Sequence, residues 1–368
     1  MVNFTEIISA SYEWTATVLF RPFNIKKWLL LGFIALMAGA LGSGGGNSGG
    51  SSHYKEDKTQ EVQAAEITTD TASITANDKS SQGYLSSNAK EEFVSFLRSL
   101  KNPEIIRIII IIATVLLIIF IVMSWLGSRF SFIFLEDVIK NDASIRVPFR
   151  ENKIIGNSLF SFNIVFMFMS MLLAGLIIFM CVSSLIKIGI FTKTSETGFL
   201  KILGVCLPSI LLFILLIIIA AIIYLIVNDF VLAVMLREKI KFLQAWKKTL
   251  AILGLNKINF ILYILIKIGL NICASLIYLI VYLASLFGIL FPTMACISVF
   301  YFIYRIIPDG LQIFYIVILL IIAIPLAIFL IYCLLCLYLP FAIFFRTLSV
   351  KFLGRLNPRY NLFKTEAA

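Results

Sequence analysis

Cys333 and Cys336, separated by two leucines, form the first spacing in this chain that could do chemistry. On a helix a CxxC pair puts both sulfurs on one face, which would suit thiol redox chemistry or a soft metal. Both also lie in a Leu- and Ile-rich run, where small apolar side chains simply pack, and the spacing is read that way here. The other cysteines, Cys181, Cys206, Cys273 and Cys296, also fall inside or beside apolar runs. None is in the long polar segment, so no disulfide framework is expected. His53, the sole histidine, sits in that polar segment and is expected to be solvated. Glu136 and Asp137 are adjacent rather than facing, a poor arrangement for paired acid–base work. No carboxylate stands mid-way along an apolar run; Asp229, at the end of one, comes nearest. That argues against proton- or sodium-coupled transport, which needs carboxylates at membrane depth. Lys187 and Lys267 are the cations set well into apolar runs. A charge held at the bilayer centre costs ~2.5–3.5 kcal/mol, and both are near enough to an end to snorkel. No phosphate-binding or dinucleotide fingerprint appears. No catalytic, cofactor or metal residue is assigned, and enzymatic activity is not expected.

The elements that carry these residues are read from hydropathy. Of 368 residues, 60% are hydrophobic and 33 are Phe, far outside the composition of a soluble domain. The run Ile105–Met123 has the length of the ~20-residue helix that crosses ~30 Å of hydrocarbon. Lipid leaves bare backbone unsatisfied, so such runs must be helical. The expectation is an all-α, polytopic transmembrane bundle with spans near 105–127, 159–186, 202–227, 258–291 and 311–337. Trp28–Gly42, preceded by Lys26 and Lys27, makes a short first span, giving about six. A signal peptide with an Ala38-Gly39-Ala40 cleavage site is the rival reading of residues 1–42. Ahead of it, Phe4, Ile7, Ile8, Tyr12 and Leu19 recur at helical spacing, which predicts a helix lying at the interface. Residues 43–89 are Gly/Ser-rich and then polar, which predicts disorder. Phe93, Phe96, Leu97 and Leu100 mark a short amphipathic piece within the extracytoplasmic segment 43–104. The membrane bundle proper is 105–368, ending in a basic tail. Pro292 leaves 293–307 open, as a re-entrant helix or a full span.

The formal net charge is +11, and its placement matters more than its size. Arg21, Lys26 and Lys27 precede the first span, and Arg129, Lys140, Arg146, Arg150 and Lys153 follow the second. Arg237, Lys239, Lys241, Lys247, Lys248 and Lys257 fill a later connection, and Arg346, Lys351, Arg355, Arg359 and Lys364 the tail. Alternate connections are basic, which places both termini in the cytoplasm. No aromatic-interleaved basic stripe of the nucleic-acid kind is present.

Two of those connections look alike. Ser128-Arg129-Phe130 and Asn228-Asp229-Phe230 each lead from a span end through a half-apolar helix to a cationic helix, then to Gly156 or Gly254. Tyr338-Leu339-Pro340-Phe341 begins the tail in the same way, which suggests an internal two-span repeat. Amphipathic elbow helices of this kind suit an anionic leaflet, with Arg237, Lys241, Lys247, Lys248, Lys351 and Arg355 as the expected headgroup contacts. The repeat also sets Arg129 and Asp229, of opposite sign, at matching helix ends. They are expected to form a structural ion pair.

The opening Ala16-Thr17-Val18-Leu19-Phe20-Arg21-Pro22-Phe23 through Gly32-Phe33, the Gly44-Gly45-Gly46 run and the Arg129-Phe130 and Asp229-Phe230 elbows resemble a family of uncharacterised polytopic bacterial membrane proteins. A more distant resemblance is to the membrane domain of glycerophosphodiester phosphodiesterases, whose soluble catalytic barrel has no counterpart in this chain. The resemblance implies a fold pattern in the bacterial inner membrane and carries over no site residue. The function expected is that of a non-enzymatic, envelope or lipid-associated membrane scaffold whose partner is the bilayer. A permease or channel for a small uncharged solute, with Pro208 and Pro325 as its mobile points, is the alternative.

Overall fold

The computed structural model describes residues 3–41, 103–187 and 199–363, and among them there is helix but no strand. The elements are α1 (Phe4–Phe20), α2 (Ile25–Met37), α3 (Pro103–Lys140), α4 (Arg146–Glu151), α5 (Lys153–Lys187) and α6 (Phe199–Ile226). A π-helical turn (Val227–Val231) leads into α7 (Leu232–Glu238), followed by α8 (Phe242–Leu255), α9 (Lys257–Ile306), α10 (Asp309–Cys336) and α11 (Leu339–Leu356). The expected disordered segment 43–89, His53 and the amphipathic piece at Phe93–Leu100 lie outside the described residues. The chain divides into two compact units, Gly49–Val122 and the remainder, Met1–Ser48 with Met123–Ala368. In the first, the described part is helical and carries exposed isoleucines and leucines from Ile108 to Ile121. It opens on the Glu104–Arg107 ion pair at 3.0 Å.

Among the described residues, five helices are long and apolar enough to cross a membrane. Their apolar side chains stay exposed in the protein itself, as expected where the solvent is hydrocarbon. The expected short first span contains α2, which is shorter than these five. Helix α2 has 13 residues, a rise of only ~20 Å. Its Leu31, Ile34 and Ala35 are fully buried by protein. Asn24 caps it, accepting from the Lys26 and Lys27 amides at 3.0 and 3.3 Å. Gly39, with φ +73°, follows its end. The Pro292 question is also answered: α9 runs unbroken for 50 residues through that proline. It rises ~75 Å, well beyond the hydrocarbon thickness, and residues 293–306 continue the same helix.

The core of the larger unit is built at helix ends. All twelve residues from Ser128 to Ile139 of α3 are buried. The π-helical turn and most of α7 are buried as well, and so is most of α11. A helix buried on every side must satisfy its polar groups internally. Glu136 does so by accepting from Lys140 Nζ and Asn152 Nδ2, each at 2.7 Å.

Helix α1 packs along α11. Phe4 stacks on Phe352 with ring centroids 5.7 Å apart. Ser11 and Thr15 turn their hydroxyls back to the Ile7 and Ser11 carbonyls, which leaves small surfaces for close approach. Trp14 Nε1 donates to the Val138 carbonyl at 2.9 Å. Ile7 and Leu19 are buried by protein, while Tyr12 and Phe20 of the same helix stay exposed.

Cys336 is buried against α2. A Cβ placed on Gly32 would lie 2.5 Å from its sulfur, so the glycine is what allows the two helices to touch. The hydroxyl of Tyr332, one turn earlier, donates to the Leu29 carbonyl. Cys333 and Cys336 are both free thiols, in line with the packing reading of their spacing.

Candidate functional site: a polar-headed cleft at the π-helical turn

The site begins with a break in helical regularity. Between Val227 and Val231 the ladder widens to a π turn, and the Leu232 amide reaches the Val227 carbonyl. Such turns are rare and re-aim the side chains they carry, often at functional positions. Here the re-aimed residue is Asp229, only 6% exposed at the end of α6.

Helix α9 supplies its partners. Tyr263, Lys267 and Asn271 follow one another at four-residue intervals and so share one face of that helix. The Tyr263 hydroxyl donates to Asp229 Oδ2 at 2.9 Å, and Lys267 Nζ forms an ion pair with the same oxygen. Tyr263 also stacks on Phe352, centroids 4.5 Å apart, which fixes its ring. Asn271 Oδ1 is buried with no protein partner. From α11, Arg346 donates to the Asn228 carbonyl inside the π turn. Its guanidinium carbon stands 5.8 Å from the Phe134 ring centroid.

These groups head a cleft of about 420 Å³. Apart from Tyr224, its remaining wall is apolar, from Ile218, Ala221 and Ile222 on α6 to Ile264 and Ile268 on α9, with Ala38–Ala40 beyond α2. The result is a polar head bearing Asp229, Lys267 and Arg346, continued by a greasy wall. Arrangements of this type suit a ligand with a polar end and an apolar end. A second cleft, about 480 Å³, lies between α1 and α11. There Arg355 pairs with Glu6, and Lys351 donates to the Ala10 carbonyl at 2.6 Å with Glu13 nearby.

The expected Arg129–Asp229 pair is not formed. Asp229 is taken by Lys267 and Tyr263, while Arg129 Nη2 donates to Asn157 Oδ1 at 3.0 Å. The Arg129 guanidinium lies 4.2 Å from the Trp125 ring centroid and 4.8 Å from that of Phe149. A Cβ on Gly156 would come within 2.9 Å of the Arg129 Cγ, so Arg129 is wedged between α4 and α5 on its own side. Lys267 does not snorkel either, because an anion within reach is a better partner than a distant water layer.

The expected lipid-contact residues divide into two groups. Arg237, Lys241 and Lys247 are exposed. Lys248 pairs with Glu238, which also takes Arg359 at 3.2 Å and the Tyr360 hydroxyl at 2.8 Å. Burial and that neighbouring carboxylate push the Tyr360 phenol above its ordinary value. Lys351 and Arg355 hold α11 to α1, as above. Helix α8 is apolar on two sides. Phe242, Ala245, Thr249 and Leu253 form its buried side, led by Phe242 stacked 3.8 Å from Phe162. Leu243 and Leu250 face outward beside Lys247. In the tail helix Phe345, Leu348 and Phe352 are buried in protein rather than offered to a leaflet.

A profile described as "Family of unknown function (DUF7544)" matches residues 3–363. The chain belongs to that family. No curated protein and no solved structure matches it. The likeness to the membrane domain of glycerophosphodiester phosphodiesterases therefore has no support beyond the sequence pattern. The DUF7544 match runs through every element of the cleft, from α2 to α11.

Sequence reasoning missed Lys267, Tyr263, Asn271 and Arg346. The signal was present: a polar residue every four positions, Tyr263, Lys267, Asn271, in a run otherwise Ile- and Leu-rich. Reading Lys267 alone as a snorkelling cation concealed it.

Proposed function

We propose that this protein is a non-enzymatic, lipid-associated membrane protein that seats one amphiphile in the cleft at the π turn. The observation that carries this reading is the cleft's composition. Asp229, Lys267, Arg346 and Asn271 gather at one part of its wall, while α6 and α9 line the rest with Ile and Ala. A pocket of this size holds a headgroup and the first part of a chain. The expected result is that full-length protein extracted in a mild detergent carries a bound amphiphile, detected by native mass spectrometry. Ala221→Trp, on an exposed part of the cleft wall, fills the space and removes that mass. Wild-type protein that arrives bare, or an Ala221→Trp protein that keeps the same ligand, would sink the reading.

The proposal includes a bacterial inner-membrane location with both termini cytoplasmic. Its support is that the basic connections and both terminal helices contribute to one packed core, with Ile7, Phe132, Ile155, Phe230, Phe242 and Phe352 in a single cluster. Charge bias then points that end inward. In a background lacking the six native cysteines, Lys247→Cys should react with an impermeant maleimide in inverted vesicles only. Reaction in intact spheroplasts would reverse the orientation.

The polar head of the cleft also favours a second reading, a permease for a small uncharged solute hinged at Pro208 and Pro325. Solute entry into proteoliposomes, abolished by Ala221→Trp, would replace the scaffold reading with this one.

A further inference from the structure

We infer that the ligand of the cleft is an anionic amphiphile with a hydroxylated head, of the phosphoglycerol type, held by Arg346 and Asn271. This rests on the reading of the cleft as an amphiphile seat and adds the chemistry of the head.

The charges in the cleft do not cancel. Asp229 is matched: Lys267 and Tyr263 both address its Oδ2. Arg346 has no carboxylate of its own. Its partners are the Asn228 carbonyl and the face of Phe134, both uncharged. A guanidinium presents five donors in a planar fork, and the Asn228 carbonyl accepts one of them. Asp229 is near enough to act on Arg346 but is already taken by Lys267, so two cations share one carboxylate and the excess favours an anion that can accept several hydrogen bonds. Phosphate oxygens do this bidentately, which is why arginine serves so often as their partner.

Asn271 specifies the rest of the head. Its buried Oδ1 lacks a donor, and leaving a buried acceptor unmet costs ~1–3 kcal/mol. Phosphate oxygens cannot donate to it, whereas a hydroxyl on the head can. Turning the amide round exchanges the demand for a donor with one for an acceptor, which the same hydroxyl also meets. The chains would run along Ile218 and Ile222 on α6 and Ile264 on α9. An inorganic anion would use Arg346 and leave this wall empty.

The test uses detergent-solubilised full-length protein titrated with short-chain phosphatidylglycerol, short-chain phosphatidylcholine and glycerol 3-phosphate. Phosphatidylglycerol is expected to bind about tenfold more tightly than phosphatidylcholine: both carry the phosphate, but only the glycerol head offers a hydroxyl to Asn271, and choline sets a cation beside Arg346 and Lys267. Arg346→Gln should weaken both lipids, and Arg346→Lys should restore part of that loss. Asn271→Leu should weaken phosphatidylglycerol and leave phosphatidylcholine unchanged. Equal binding of both lipids to wild-type protein would overturn this inference while leaving the amphiphile seat intact. Glycerol 3-phosphate binding as tightly as phosphatidylglycerol would mark a soluble-anion site and overturn both. If neither lipid binds folded wild-type protein, the seat itself is refuted. Because the wild-type comparison decides the question alone, an Arg346 variant that fails to fold does not shield the proposal.

Discussion

Asp229→Ala is expected to be among the most damaging single substitutions in this chain, with a loss of about 3–5 kcal/mol, the usual cost of stranding a buried charge. The carboxylate is 6% exposed and is shared by Lys267 and Tyr263. Its removal leaves an ammonium with a 12% exposed side chain and no counter-charge. Tyr263, itself 1% exposed, loses the acceptor for its hydroxyl. The control is Asp229→Ala with Lys267→Met, which removes both charges and keeps most of the lysine's apolar volume. That double variant should recover most of the folded yield, measured as the monodisperse fraction after detergent extraction and as thermal unfolding midpoint. Arg129→Gln combined with Asp229→Ala should give no such recovery, since Arg129 has its own partners in Asn157, Trp125 and Phe149. If the Arg129 combination rescued and the Lys267 combination did not, the partner assignment would be wrong.

What could be read from the sequence follows the physics of each signal. Hydropathy over twenty residues is a large, additive quantity, so the five long helices were legible at once. Charge bias between spans was equally plain. The fate of amphipathic faces was not legible, because one apolar stripe serves a leaflet or a protein partner equally well. The stripe on α1 meets Phe352 and the rest of α11, and the stripe on α11 meets α1 and the π turn. On α8 Leu243 and Leu250 stay outside, as Tyr12 and Phe20 do on α1. The sequence likeness of the Arg129 and Asp229 elbows pointed to segments that are indeed buried, at Ser128–Ile139 and Val227–Leu236. It misled about the pairing, since matching ends of two helices need not face each other. The cleft needed a π turn to aim Asp229, and no composition rule predicts that single inserted residue. Gly32 likewise signalled nothing until Cys336 was seen to fill the space where its Cβ would stand.

A contrast between two phenylalanines tests where the fold is held together. Phe352 is completely buried and touches three other rings, Phe4 at 5.7 Å, Tyr263 at 4.5 Å and Phe230 at 5.9 Å between centroids. Phe352→Ala opens a cavity at the point where α1, α9, α11 and the π turn meet. About 3–5 kcal/mol should be lost, as for other buried aromatic truncations. Phe179, on the long helix α5, is 72% exposed. In a bilayer its ring already touches hydrocarbon, so Phe179→Ala exchanges one apolar contact for another and should shift the unfolding midpoint little. The same midpoint measurement in lipid nanodiscs compares the two directly. A bundle stabilised chiefly by packing among its long apolar helices would show similar losses for both variants. A core built at the helix ends predicts a large loss only for Phe352→Ala. The loss should also reach the cleft, because Phe352 stacks on the ring whose hydroxyl holds Asp229. Phe352→Ala should therefore weaken phosphatidylglycerol binding even at temperatures where the protein stays folded, through a looser Tyr263 rather than a lost contact.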